Sequence, residues 1–516
     1  MAKSYTLLET LDYLLDSSET ESCLEDTEAD DSEPEDCNPP EENTGLEEES
    51  DEEYEEADAD QTFESKNGKI SWTTSPQPTF VWTRESFIFT SDKADTWTNK
   101  VSRVDDIKSA FLLFFPSTIQ NILVEMTNLE GNRVFGDDWR DVDWTDMEAY
   151  IGLLLLAGVY RPNNEALSSL WEAETGRAIF RAVMSLRRFR RLPKVIRFDD
   201  RATRPARRES DKLAPIRDVW NLWVERLPLM CNPGLDITVD ECLVPFRGRC
   251  SFKQYMPSKP GTCKFTPVSQ KEGSQKEIRV CELLRRKLTM VGTVRKNKPE
   301  LPPALLTTRD RVCFSSIFAF TETHSVVSHC PKRGKNVLLM STCHKDAKVS
   351  DREDKKPDVM LDYNRCKGGV DNLDKMVASY SCKRKTNRWP MVVFSTILDV
   401  SAINAFVVWR ELNPSWERGN NFKRRLFLEE LGKALVSPHM ERRKSLPHAP
   451  ASVAVLKRKQ DSSNSPGPST EPPSSKRKRC QVCPLAKDSK TDKQCANCKR
   501  AICVAHTVYL CQMCVD

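Results

Sequence analysis

Eight residues of metal-ligand type within the last 37 positions constrain this chain more than any other feature: Cys480-x2-Cys483-x11-Cys495-x2-Cys498-x4-Cys503-x2-His506-x4-Cys511-x2-Cys514. A segment so short cannot fold on apolar packing alone, so metal binding has to supply the folding free energy. Four close pairs suit two tetrahedral structural zinc ions. A cross-brace would place Cys480, Cys483, Cys503 and His506 in one site and Cys495, Cys498, Cys511 and Cys514 in the other. With every ligand position filled, the module is expected to bind a partner and not to hydrolyse one. The other twelve of the 19 cysteines are scattered singly and read as small buried hydrophobes.

The charge is split along the chain. The totals are 78 Lys+Arg and 76 Asp+Glu, yet residues 1–65 hold 26 acids and one base, leaving 50 acids and 77 bases for the rest. An acidic tail of about −25 therefore precedes a body of about +27. Clustered cations gain counterion-release free energy on a polyanion, so nucleic acid is the expected partner, with a merely solvated surface as the alternative. Acids stand where a signal peptide needs a cationic and then apolar start, which argues against secretion. The apolar run at 149–160 (AYIGLLLLAGVY) is about half the ~20 residues a membrane span needs and reads as a core helix, so no membrane partner is expected.

Composition divides the chain into a disordered acidic tail (1–75), a helical region (76–234), an α/β region (235–376), a second helical region (377–440), a basic disordered linker (441–479) and the zinc module (480–516). Residues 5–15 (YTLLETLDYLL) mix apolar residues with acids, as in a segment that folds on a protein partner; a solvated tail is the other reading. Residues 185–208 put nine Arg and one Lys among apolar positions. This predicts a basic amphipathic helix that either contacts phosphates or lays its Arg side chains over its own core. The clusters 457–459 and 476–479 in the linker look like nuclear import signals or phosphate-binding tails, and both readings place the protein in the nucleus with nucleic acid.

In the α/β region Leu235, Ile237 and Val239 alternate with polar residues, predicting a strand that ends at Asp240-Glu241. Further strands are expected at 288–294 and 337–340, and a long helix from about 390 to 412. Asp371 and Asp374 are three apart and would share one face of a helix. With Asp240 they could converge on Mg²⁺, although an acid at a strand end is more often a solvated cap.

Several longer motifs carry a family resemblance. Residues 238–260 (TVDECLVPFRGRCSFKQYMPSKP) resemble the signature following the first catalytic aspartate of piggyBac-type transposases. Residues 363–374 (YNRCKGGVDNLD) with 384–391 (RKTNRWPM) resemble their third acidic block. Residues 188–200 (RFRRLPKVIRFDD), 211–220 (DKLAPIRDVW) and the Cys/His module match as well, so that the resemblance covers roughly 80–516. It implies a ribonuclease H-like core inserted in a helical dimerisation and DNA-binding domain, a homodimer, a zinc module that binds terminal-repeat DNA, hairpin excision and TTAA insertion. Three aspartates would hold two Mg²⁺ ions. Asp240 corresponds to the first, Asp371 to the third, and Asp374 to an accessory acid. The basic residues assigned to DNA contact are Arg187, Arg188, Arg190 and Arg191 on the predicted helix, Arg247, Arg249, Lys253 and Lys259 in the first block, and Arg384, Lys385 and Arg388 in the last.

The second carboxylate has no counterpart. Three strands, a helix and their connections need about 43 residues. Only 24 are available from Phe265 to Leu288. That interval is polar, and Glu272, Glu277 or Glu282 would lack the rigid sheet that catalytic geometry demands. The expectation is a truncated core in a DNA-binding protein without strand-transfer activity, with Mg²⁺ relevant only if the core is intact. A working Mg²⁺-dependent transposase, whose missing strands reflect a skipped exon, is the alternative. A protein-reading or RING-like cross-brace is a third, though the order of ligands differs from a RING.

Overall fold

The computed structural model describes residues 62–76, 101, 104–160, 166–230, 236–240, 244–255, 263–265, 283, 288–309, 311–464, 478–484, 487, 490–491 and 501–506. They fall in two compact units, Met1–Leu456 and Lys457–Asp516.

The first unit opens on a hairpin, β1 (Thr62–Glu64) and β2 (Ser71–Thr73), in antiparallel register. This corrects the expectation of disorder through residue 75. Trp72 is 1% exposed, packs with Leu301, Leu305 and Val326, and donates from Nε1 to the Glu300 carbonyl at 3.1 Å. One buried indole offsets the ordering of a short hairpin, a local gain that an acid-rich average composition hides.

Three helices follow: α1 (Ile107–Leu112), α2 (Ser117–Phe135) and α3 (Trp144–Val159). Asp106 and Asp143 close capping boxes at the starts of α1 and α3. Every residue from Met147 to Val159 is buried, and apart from Glu148, which pairs with Lys108 at 2.8 Å, the stretch is apolar, as its sequence predicts for a central core helix. The shorter α4 (Ala178–Val183), α5 (Leu186–Val195), α6 (Arg204–Ser210) and α7 (Arg217–Val224) complete this helical region.

Residues 236–240 form no strand, contrary to the alternation in the sequence. Ile237 and Val239 stay 52% and 41% exposed. No strand among the described residues lies beside them to accept a ladder; instead Thr238 Oγ1 donates to the Cys366 carbonyl at 2.6 Å. A small sheet, ordered β3-β5-β4, joins β3 (Val244–Pro245), β4 (Gln254–Tyr255) and β5 (Cys263–Phe265).

The main sheet continues with β6 (Val291–Thr293), β7 (Ser316–Phe320), β8 (Ser325–Lys332) and β9 (Lys335–Ser341). Its order is β1-β2-β7-β8-β9-β6, antiparallel throughout. Strand periodicity sorts its side chains: Val326 and Leu338 face Trp72, while Val327 and Leu339 face Val359 and Met360 of α8 (Asp358–Cys366). Helix α9 (Gly369–Ser379) comes next and carries Asp371 and Asp374 one turn apart, as expected.

The longest helix, α10 (Trp389–Leu412), has a mean hydropathy of 2.0 and is, among the described residues, the one helix long and apolar enough to cross a membrane by length and composition. Fifteen of its residues are buried in the protein core, including Asp399. Helix α11 (Lys423–Glu441) crosses α3 where Gly152 meets Gly432: a Cβ built on Gly152 would lie 2.8 Å from the Gly432 carbonyl oxygen. Only glycine allows that approach. The expected linker is helical in part, since α12 (Pro450–Asn464) buries Ser452 and Leu456; its small and aliphatic residues give it a packing face despite the basic composition.

In the second unit β10 (Lys478–Arg479) pairs antiparallel with β11 (Lys490–Thr491).

Candidate active site and basic groove

Helix α8 is pinned on the sheet by Val359 and Met360, and this holds Tyr363 partly buried beside the same cluster. Burial raises the Tyr363 phenol pKa first; the charges of Asp240 and Asp371 raise it further, against a hydrogen bond with Thr293. The charges of two acids 131 positions apart therefore both reach one phenol. Backbone packing brings them there. A Cβ on Gly369 would sit 2.8 Å from Thr238 Oγ1, so the first residue of α9 touches the segment that carries Asp240. Asp240 and Asp371 are exposed and Asp374 is half-buried on the next turn. Glu272, Glu277 and Glu282 lie outside the described residues.

The basic positions divide by what surrounds them. On α5, Arg188 stacks over Trp139 at 4.8 Å and donates to the Arg140 carbonyl at 2.9 Å, while Arg191 lies over Phe135 at 4.8 Å and beside Asp138 at 3.5 Å. Arg187 and Arg190 are exposed. Both readings of this helix thus apply, one to each pair. Arg388 donates to the carbonyls of Pro193 and Ile196 at 2.6 Å each, capping the end of α5. Burial, with Arg197 and Arg204 nearby, pushes its pKa down to about 9. Arg384 is half-buried with Nε and Nη2 shielded and lacking a hydrogen-bond partner, and Lys385 is exposed.

Arg247 and Arg249 flank a turn pressed against Asn387, where a Cβ on Gly248 would lie 2.9 Å from the Asn387 carbonyl oxygen. Phe252 meets Trp389 edge-on at 5.1 Å, and Lys253 Nζ reaches the Gly248 carbonyl at 3.4 Å. Three distant sequence blocks thereby build one open groove of about 1030 Å³, with Arg208, Arg247, Arg249 and Lys253 on its walls. Arg208, Asn387 and Trp389 also line an adjoining cavity of about 210 Å³, together with Arg197, Arg204 and Arg388. Arg208 is a member that sequence reasoning did not single out, although it closes the Arg-rich stretch. Glu130 pairs with Arg197 at 2.6 Å, and the buried Asp199 pairs with both Arg204 and Arg207. The cationic character left to the groove comes from Arg208, Arg247 and Arg249, all exposed, and from the half-buried Lys253. Lys259 lies outside the described residues.

In the second unit Cys480, Cys483, Cys503 and His506 come together, one complete half of the expected cross-brace. The β10–β11 ladder, the Gln481 N–H to Ala501 carbonyl bond at 2.9 Å and a short 3-10 turn at Val504–His506 place them. Sulfur to imidazole Nδ1 distances are 3.7, 3.6 and 3.4 Å from Cys480, Cys483 and Cys503, and Cys483 lies 3.7 Å from Cys503. Sulfur and nitrogen ligands of a tetrahedral zinc sit roughly 3.4–3.8 Å apart, and these four separations suit a metal. Burial would raise the Cys480 thiol, but N–H groups of Cys503 and Val482, with His506, bring it down to about 6, favouring thiolate. Cys495, Cys498, Cys511 and Cys514 lie outside the described residues.

A family model described as Transposase IS4 matches residues 107–268 and 279–406 of this chain, with an interruption inside the short interval noted in the sequence. The chain is also similar to a solved piggyBac transposase, determined by cryo-electron microscopy in a synaptic complex with hairpin DNA. Identity is 29% over 81% of this chain and 99% of that one, with a TM-score of 0.65. The motif blocks that build the basic groove are thus those of a known lineage, and the chain belongs to the piggyBac-type transposase family.

Proposed function

We propose that this chain is a transposase-derived nuclear protein that binds double-stranded DNA and does not carry out strand transfer. The observation that carries DNA binding is the groove in which Arg208, Arg247 and Arg249 meet around Asn387 and Trp389. Exposed guanidinium groups on a concave wall suit phosphate oxygens. The similar transposase was solved with hairpin DNA, which supports the same reading. The Cys/His module would hold two zinc ions and add a second DNA contact, and the chain would act as a homodimer.

The antiparallel sheet with α8 and α9 is read as a shortened ribonuclease H-like core. Asp240 and Asp371, whose charges both reach Tyr363, would be the carboxylates to hold a hard cation such as Mg²⁺, with Asp374 a turn from Asp371. A two-metal site also needs the second carboxylate on rigid structure, and the 24 residues from Phe265 to Leu288 are too few to build it. Loss of one such stabiliser commonly costs ~10²–10³-fold in rate. The contact of Gly369 with Thr238, which brings the segments of Asp371 and Asp240 together, favours one second reading, a Mg²⁺-dependent transposase in a longer product of the same gene.

The test uses the full chain, terminal-repeat duplex and Mg²⁺. Salt-sensitive retention of DNA without nicks or hairpins is expected. Accumulating nicks or hairpins would overturn the inactive reading, and failure to retain DNA would overturn the binding one.

A further inference from the structure

We propose that Cys343, His344 and Asp362 form a zinc site that ties the end of β9 to α8. Their ligand atoms lie within 4.8 Å of one another, and all three residues are half-buried. The cluster belongs to the first unit and is separate from the C-terminal module in sequence and in ligands.

The turn after β9 is built to present the first two. Ser341 is fully buried, and its Oγ accepts from the N–H groups of Cys343 at 3.1 Å and His344 at 3.0 Å. The His344 carbonyl accepts from Ser325 Oγ at 3.0 Å, so the turn is fixed on both sides. Cys343 Sγ lies 3.3 Å from His344 Nδ1, and Ser341 Oγ lies 2.8 Å from the same nitrogen. Across the gap, Asp362 Oδ2 stands 3.9 Å from His344 Nε2. Arg365 holds the other oxygen, Oδ1, at 2.5 Å and reaches Asp236 at 3.1 Å. This is the arrangement of an outer partner that orients a ligating carboxylate.

One thiolate, one imidazole and one carboxylate suit zinc better than a hard cation, which would favour oxygen alone. A thiolate, an imidazole and a carboxylate on one tetrahedral zinc sit roughly 3.4–3.6 Å apart, so loading requires the imidazole to swing and Asp362 to close by about 1 Å. Water would take the fourth position. The consequence is local: the metal would clamp α8, the helix that carries Tyr363, to the sheet end.

The experiment is native mass spectrometry of the full-length chain loaded with Zn²⁺, comparing the unmutated protein with His344→Ala combined with Asp362→Asn. The unmutated protein is expected to hold one zinc more than the variant, while Cys483→Ser alters only the C-terminal load. Equal zinc content in the two proteins would overturn the proposal. A second measurement needs no variant: hydrogen exchange of the unmutated chain with and without Zn²⁺. At least ~10-fold slower exchange in both 341–344 and 358–366 supports the site, by analogy with the loss on disturbing a metal's surroundings. Unchanged exchange in both segments overturns it.

Discussion

Thr238 Oγ1 donates a 2.6 Å hydrogen bond to the carbonyl of Cys366, and so joins the segment of the first carboxylate to the end of α8. The approach of the Asp240 segment to α9 rests on that bond and on the missing side chain of Gly369. If both acids face Tyr363, neutralising either one lowers the pKa of the phenol toward that of free tyrosine. Asp240→Asn and Asp371→Asn should each do so in an ultraviolet titration, and Mg²⁺ added to the unmutated chain should act in the same direction. A phenol that ignores both substitutions would separate the acids from Tyr363.

The basic groove predicts two classes of arginine. Arg208→Ala and Arg247→Ala are expected to weaken DNA binding and to reduce its log-log salt slope by about 1 each, with thermal stability unchanged. Arg388→Ala instead uncaps α5: the Pro193 carbonyl loses this donor while the Ile196 carbonyl keeps Arg197 Nη1 at 3.0 Å, so stability should fall by about 1–3 kcal/mol at most. Titrations at several salt concentrations, beside thermal melts, tell the classes apart.

The crossing of α3 and α11 has no room for one methyl group. Gly152→Ala must push against the Gly432 carbonyl oxygen and Val436 Cγ1, both 2.8 Å from the new Cβ. Overpacking of this kind costs about 1–3 kcal/mol. Urea denaturation should show that loss, whereas Gly334→Ala, at a turn with φ of +74° and nothing within 4 Å, would be strained by its backbone alone.

Asp399 gives a pH signature. It is buried in α10, where its carboxylate accepts from the Cys382 N–H at 2.9 Å and from Ser381 Oγ at 2.7 Å. Burial outweighs those bonds and raises its pKa from 3.8 to about 6. The folded state therefore binds more protons than the unfolded state between those values, and stability falls as pH rises through that window. His324, brought down to about 4 by burial, works with the opposite sign between about 4 and 6.5. Comparing Asp399→Asn with the unmutated chain cancels the histidine. The asparagine variant should gain stability relative to the unmutated chain from pH 4 to pH 6, by up to roughly 3 kcal/mol, as read from denaturation midpoints.

The parts legible in the sequence are those whose signal is local. Residues 149–160 are apolar without a break, and α3 is buried on every side. Asp371 and Asp374 share a face because three residues nearly complete a helical turn. The spacing of Cys480, Cys483, Cys503 and His506 foretold their cluster. What stayed hidden depends on distant partners. Val326 and Val327 fill opposite faces of β8, so burial on both sides leaves no alternation to read. Ile237 and Val239 alternate well yet form no strand, since pairing needs a neighbour. Arg188 looked like a phosphate ligand until Trp139 lay beneath it.

The seat of Trp72 has a consequence in time. Its indole bonds to the carbonyl of Glu300, 228 positions later, and β2 pairs with β7 through Thr73 and Phe320. At 5–20 residues per second, a ribosome needs roughly 10–45 s to make the chain between Trp72 and its partner. For that interval Phe63, Ile70 and Trp72 of the hairpin are without their pocket, and contacts of such separation are slow to close even after synthesis. The 25 acids in residues 1–61, made just before it, add a charge whose repulsion disfavours association of the waiting segment.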